Sequence, residues 1–382
     1  MQYRHLGNLG IQVSALGFGA MRLPAGEDGK VDLEQSVPIL RRGIDLGINY
    51  IDTAYVYING TSEVAVGQAI KPYPRESLYL ATKIPVHSAE YADPSAWRKK
   101  LETCLKRFDT PYIDFMLFHG LGWYDFENFV GKPGSTLAEA RKAQAEGLIR
   151  HVSFSSHDSV ENILRLIDTR EFASMLVQYN YLDRHNEPAI ARAAQAGMGV
   201  VIMGPVAGGR LVTPQGVVTD AEGQLEMRTP ELALRFVWNN PDVSVAISGM
   251  NTLAMVEENA ASAARAAHMD AQESAQVAQL LERNQKLADL YCTGCAYCMP
   301  CPNEVNIPEN FRYMNWYRVW GMEEQAKAAY AKLSAEGSWM PYGKVDGLKA
   351  DACLQCGECE PKCPQNIRII EQLEEVARTL GA

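Results

Sequence analysis

Eight of the nine cysteines in this 382-residue chain lie beyond position 291, in two short runs. The first is Cys292, Cys295, Cys298 and Cys301, closed by Pro302; the second is Cys353, Cys356, Cys359 and Cys363, closed by Pro364. Thiolates are soft ligands for iron or zinc. Three of them at three-residue steps let one tight loop face three corners of a single cube, while the proline turns the chain away. The ninth, Cys104, sits in a helical pattern with Leu101 and Leu105 and reads as a small buried apolar side chain. A second set of reactive types is scattered: Asp52, Tyr57, Lys83 and His119 each end or closely follow a short apolar run. Singly, each has a plainer role in packing, solvation or a core hydrogen bond, and only their joint placement points to chemistry.

The second run, C-x2-C-x2-C-x3-C-P, resembles the spacing of bacterial ferredoxins, in which the fourth cysteine reaches the neighbouring cluster. That resemblance implies two [4Fe-4S] clusters, one on Cys292, Cys295, Cys298 and Cys363, the other on Cys353, Cys356, Cys359 and Cys301. The first run departs in its last gap, two residues instead of three. Two structural zinc sites are the alternative, although zinc sites usually separate their CxxC pairs by a longer loop. Disulfides suit short secreted chains better than a chain of this length.

The elements that must position these groups alternate in a parallel α/β pattern. Candidate strands are Val13–Phe18, Ile48–Asp52, Leu78–Lys83, Ile113–His119, Ile149–Ser155, Met175–Gln178, Gly199–Met203 and Val243–Ile247, with helical patterns such as Asp32–Leu46, Pro94–Arg107 and Glu187–Ala196 between them. Eight units in about 250 residues predict a (β/α)8 TIM barrel with its site at the C-terminal strand ends, where Asp52, Tyr57, Lys83 and His119 meet. An open doubly wound sheet is the alternative, but no strand leads into a GxGxxG turn. The expected domains are a barrel over 1–268, a breaker-free linker helix over 269–290, and a mostly helical ferredoxin-like iron–sulfur domain over 291–382.

The barrel segment resembles the aldo-keto reductase superfamily through Tyr3-Arg4-x-Leu6-Gly7, Val13-Ser14-x-Leu16-Gly17-Phe18-Gly19, Asp52-Thr53-Ala54 with Tyr57 and Gly60-x-Ser62-Glu63, Ala81-Thr82-Lys83, and Asp114 to His119. Cys292-Thr293-Gly294-Cys295 and Cys356-Gly357-x-Cys359-x-x-x-Cys363-Pro364-Gln365 narrow the likeness to the branch with a C-terminal ferredoxin-type extension. The resemblance implies a hairpin capping the barrel base and carbonyl reduction by a nicotinamide cofactor, NADP(H) or NAD(H). In that chemistry Tyr57 gives the proton, Lys83 favours its phenolate, Asp52 holds Lys83, and His119 orients the carbonyl. It further implies Ser155, Ser156 and Gln178 near the nicotinamide carboxamide and Glu258 and Asn259 near the adenine. Ser248 with Gly249, just before the helix containing Glu258, reads either as backbone N–H groups presented to a phosphate or as a plain glycine turn. Arg210 is a candidate phosphate contact. Two departures stand out: Met203 where many members stack a tyrosine, and Met255 where an arginine often meets the 2′-phosphate. The loop Leu121–Thr136 reads either as an aromatic substrate face or as loop packing, and the segment Gly204–Thr229 as a cover for the cofactor.

Thirty-six basic against forty-six acidic residues, a net charge of −10, argue against nucleic acid or an anionic membrane as partner. The chain has no long apolar span and no secretion-type start, so the expected place is the cytoplasm. Three functions fit: a carbonyl reductase whose clusters exchange electrons with an outside ferredoxin or flavoprotein, a reductase whose clusters are structural or regulatory, and an electron-transfer protein whose barrel does not turn over.

Overall fold

The computed structural model describes residues 1–381 apart from 27, 87–92, 182, 207–216, 220–225, 266–268, 272, 276–291, 293, 295, 321 and 341–342. Most of the expected linker helix, Arg210 and Cys295 therefore lie outside the described residues. The chain divides into two contact units: Met1–Asn180, Arg184–Pro205 and Leu234–Met269 in one, and Tyr181–Asp183, Val206–Ala233 and Asp270–Ala382 in the other.

The first unit opens with a hairpin, β1 (Tyr3–His5) and β2 (Gln12–Ser14), followed by strands β3 (Leu16–Gly19), β4 (Tyr50–Asp52), β5 (Tyr79–Pro85), β6 (Ile113–His119), β7 (Ile149–Ser155), β8 (Ser174–Gln178) and β9 (Gly199–Met203). The hairpin that follows in sequence, β10 (Val217–Thr219) with β11 (Glu226–Arg228), belongs to the second unit, and the last strand of the first unit is β12 (Val245–Ser248). Strands β3 to β9 and β12 close into an eight-stranded barrel, parallel at every pairing, as expected for a (β/α)8 fold.

All eight strands lie where short apolar and β-branched runs predicted them, with one correction. The expected strand Val13–Phe18 is two elements, an arm of the base hairpin and the first barrel strand. The break falls at Ala15, whose carbonyl accepts from the Trp238 indole at 2.8 Å and from Ala246 N. Between strands, side-chain caps at Asp32, Asp93, Ser159 and Thr252 start four of the helices. Asp93 accepts from Ser95 N and Ala96 N at 2.7 and 3.0 Å ahead of Pro94–Phe108, and Pro94 in the first turn has no N–H to leave unsatisfied.

Strand geometry turns this barrel into a site. Side chains alternate between faces with period two, and the inner core holds Tyr50, Ala81, Phe115, Leu117, Leu176 and Val201, plugged from below by Leu6 and Val13 of the hairpin. Two residues further along the same strands, on the same inner face, come Asp52, Lys83, His119, Gln178 and Met203. The apolar layer thus forms the floor and the polar layer the mouth.

The second unit packs helices Ile307–Trp320, Glu323–Ala331 and Ile369–Leu380 around Val305, Phe311, Tyr313, Tyr330, Ile367 and Leu373. Its two cysteine runs share a backbone pattern. Left-handed residues fall two and four places after the first cysteine, Gly294 and Ala296 in one run and Gln355 and Gly357 in the other. A further left-handed residue falls three places after the fourth, Glu304 and Asn366. A helix begins six places after the fourth cysteine in both, at Ile307 and Ile369.

Candidate active site and metal centre

At the barrel mouth Lys83, 1% exposed, donates to Asp52 Oδ1 at 2.6 Å, to the Thr53 carbonyl at 2.6 Å and to the Tyr57 hydroxyl at 3.3 Å. All three ammonium protons are therefore directed. Burial pushes the Asp52 carboxyl above its ordinary pKa, against the pull of Lys83. The His119 ring meets the Tyr57 ring edge to face, with centroids 5.7 Å apart. Both rings are part-buried, so the phenol and imidazole line the opening while the ion pair lies beneath them.

The turn that aims Tyr57 is strained. Ile58, Asn59 and Gly60 have φ of 48°, 53° and 78°, a left-handed run that a β-branched isoleucine rarely adopts. It is anchored by Asn59 Nδ2 donating to Gly29 O at 3.1 Å and Thr61 Oγ1 donating to Ile58 O at 2.6 Å. Beneath it Glu63, fully buried, accepts from Thr82 Oγ1 at 2.6 Å and pairs with Arg107 at 2.9 Å. Arg107 also donates to the Tyr55 carbonyl. Cys104 is buried beside Glu63, and burial pushes its thiol well up, in keeping with an inert core residue.

Ser155, Ser156 and Gln178 are all buried at the same strand ends. Ser155 Oγ accepts from Gly120 N at 2.9 Å and Ser156 Oγ donates to Leu121 O at 2.8 Å, so both fasten the turn after His119. Asn259 Nδ2 donates to Ser248 Oγ at 3.2 Å, bringing these two residues together; Glu258 is part-buried on the same helix, Leu253–Ala264. Gly249 stands against the Arg22 side chain, and a Cβ there would lie 3.1 Å from Arg22 Cδ. Arg22 was not among the sequence-level candidates; a cation three residues past the end of β3 was the available signal. In the loop after His119, Trp123 packs on Phe126 and under the Arg165 guanidinium, and Phe126 meets Phe172, which packs on Phe118 and Phe154. For these two residues the loop-packing alternative holds, because they extend an aromatic layer outside the strands. Tyr124 is 68% exposed.

In the second unit, Cys298 and Cys301 of the first run and Cys353, Cys356 and Cys359 of the second line one pocket. Burial pushes the Cys359 thiol up, and Cys353 and Cys301 act on it as neighbours. Gly294 N donates to Cys292 Sγ and Gln355 N to Cys353 Sγ, each at 3.4 Å, so the left-handed residues turn amide hydrogens onto sulfur in both runs. Among the described residues no three Cys, His, Asp or Glu side chains converge on the position of one ion. The thiols instead stand around a volume, and this donor set fits a cluster.

A closed parallel barrel whose strand ends gather a buried Asp–Lys pair, a tyrosine and a histidine belongs with the (β/α)8 enzymes. Residues 15–282 match the family model described as the aldo/keto reductase family, and the chain belongs to that oxidoreductase family. Residues 291–368 match the model of a 4Fe-4S dicluster domain. Among curated proteins, a probable aldo-keto reductase 1 of Glycine max is 28% identical over 212 residues, 53% of this chain and 59% of the soybean protein's own length. A solved aldo-keto reductase of Bacillus halodurans, in a holo form, is 27% identical with a TM-score of 0.61, covering 73% of this chain and 96% of that one. An aldo/keto reductase of Klebsiella pneumoniae, solved with NADP and acetate, is 26% identical with a TM-score of 0.59, covering 72% and 94%. Among the described residues no helix is long and apolar enough to cross a membrane.

Proposed function

We propose that the barrel reduces an aldehyde or ketone with NADPH or NADH and that Tyr57 gives the proton. The supporting observation is the Lys83 ammonium, 3.3 Å from the Tyr57 hydroxyl and locked by Asp52 at 2.6 Å. A bound nicotinamide supplies the hydride. The chain's own residues handle the charge that this leaves on the substrate oxygen: the Tyr57 O–H donates its proton there, and the fixed ammonium stabilises the phenolate that remains. His119, beside Tyr57, donates to the same oxygen and fixes its direction. Ser155, Ser156 and Gln178 meet the nicotinamide carboxamide, while Ser248, Gly249, Glu258 and Asn259 serve the distal end of the dinucleotide. The Klebsiella relative solved with NADP supports this arrangement by analogy.

In the second unit Cys353, Cys356 and Cys359 with Cys301 hold one [4Fe-4S] cluster, and Cys292, Cys295 and Cys298 with Cys363 hold the second. The pocket that brings Cys301, together with Cys298, against the second run supports contact between the two runs, and the ferredoxin-type spacing supports the crossing. The clusters supply one-electron chemistry. Since hydride carries two electrons, an outside ferredoxin or flavoprotein is the proposed electron partner where the clusters take part in turnover.

The test is anaerobic turnover of an aldehyde with NADPH or NADH, with cluster signals followed by electron paramagnetic resonance. Tyr57→Phe is expected to lower kcat by roughly 10²–10⁴ with iron and sulfide retained. Near-normal turnover would remove Tyr57 from this role. An intact protein that oxidises neither dinucleotide would favour the electron-transfer reading, which Met203 in place of a stacking aromatic also favours.

A further inference from the structure

The amide that the nicotinamide reading assigns to the carboxamide has an unusual support. Gly204, the residue after β9, has φ +66°, a left-handed backbone that glycine adopts without steric cost. A Cβ at Gly204 would stand 2.8 Å from Gln178 Cδ and 2.9 Å from its Oε1, with Nε2 nearer still. Gln178 is 4% exposed, so its amide occupies the space that a side chain at 204 would need. The backbone on both sides is tied by buried asparagines: Asn180 Nδ2 donates to Gly204 O at 2.8 Å, and Asn186 Nδ2 to Gln178 O at 2.9 Å. These bonds continue the junction of β8 and β9 past its last paired residues, Gln178 and Met203.

We propose that Gly204 is a positioning residue, and that its missing side chain, with Asn180 and Asn186 holding the two carbonyls, sets the Gln178 amide where it reads the carboxamide of the nicotinamide ring. The proposal rests on the nicotinamide reading. Because the colliding atoms are the far end of a side chain and the backbone is pinned, a methyl group at 204 displaces the amide and leaves the strands in place. Its effect falls on dinucleotide binding.

The full-length, cluster-loaded protein is titrated anaerobically with NADPH and with NADH by fluorescence. Gly204→Ala is expected to weaken binding roughly tenfold or more, the loss of a hydrogen-bonded pair at a buried polar site. Gln178→Ala is expected to match it, and the double variant to lose no more than the worse single one. Gly147→Ala serves as the control for backbone strain. Its φ is +78° with nothing within 4 Å of an added Cβ, and it should bind as the unaltered chain does. Unchanged affinity in Gly204→Ala, additive losses in the double variant, or an equal loss in Gly147→Ala each overturn the proposal. Should Gly204→Ala fail to fold, Asn186→Ala tests the same cradle: a several-fold loss supports it and none overturns it. If the unaltered protein binds neither dinucleotide, the nicotinamide reading fails and this inference falls with it; if Gln178→Ala weakens binding and Gly204→Ala does not, only this inference fails.

Discussion

The barrel mouth and the cysteine loops solve the same problem, holding reactive groups at fixed separations, by opposite means. At the mouth, Asp52 and Lys83 come from adjacent strands and meet because of parallel register and strand alternation. In the second unit, Cys353, Cys356 and Cys359 are neighbours in sequence, held by left-handed turns at Gln355 and Gly357. The first device depends on a packed core beneath it, the second on ligands binding a common centre. The mouth should therefore survive loss of metal, and the cysteine loops should not. Cys298 and Cys301, which line the pocket of the second run from the first, give the cysteine unit a long-range dependence like the barrel's.

The comparison can be broken most severely by stripping iron from the reduced protein with a chelator. The expected outcome is loss of protease resistance in 292–381 while the barrel remains folded and binds dinucleotide; collapse of both regions would show that the barrel is not self-supporting. A single-residue version is Cys301→Ser. It is expected to remove the same paramagnetic signal as Cys356→Ser, with iron falling from about eight to about four per chain. Loss of the signal removed by Cys292→Ser instead would reverse the ligand assignment.

On the barrel side, Lys83→Met leaves a buried carboxylate without its partner. It should cost about 3–5 kcal/mol in urea unfolding, and pairing it with Asp52→Asn should recover much of the stability with none of the turnover. Replacing strained Ile58 by asparagine, which tolerates the left-handed region, is expected to raise stability by roughly 0.5–1 kcal/mol, read as a shift of the unfolding midpoint. The smallest effect belongs to Glu257→Gln, which removes an exposed ion pair with Arg42, 2.9 Å in length. A change within about 0.5 kcal/mol is expected, and a larger one would mean that this surface pair contributes more than exposed ion pairs ordinarily do.

The contrast also explains what could be read in advance. Short apolar and β-branched runs between helical patterns located the eight strands, because strands of a parallel barrel are buried on both faces. The division of Val13–Phe18 was not legible in the apolar pattern, which continues through Ala15; the family resemblance implied the base hairpin, and the Ala15 carbonyl, taken by Trp238 and Ala246 from more than 200 residues away, marks the break. Arg22 was missed because nothing near it in sequence shows that Gly249 lies beneath its side chain. Trp123 and Phe126 invited a substrate role because aromatic character is visible in sequence whereas direction is not. The structure turns both into the aromatic layer with Phe172.

By itself, then, the sequence determined whatever is set by local chemistry: the strand and helix periods, the metal character of the cysteine runs, and the residue types available for proton transfer. Only the tertiary structure decided which of them meet. It brought Lys83 within reach of both Asp52 and Tyr57, joined Cys301 to the opposite run, and left room for the Gln178 amide beside Gly204. The physical reason is range: backbone propensity and ligand spacing act over a few residues, whereas register, burial and close packing act between segments whose separation along the chain carries no record of their contact.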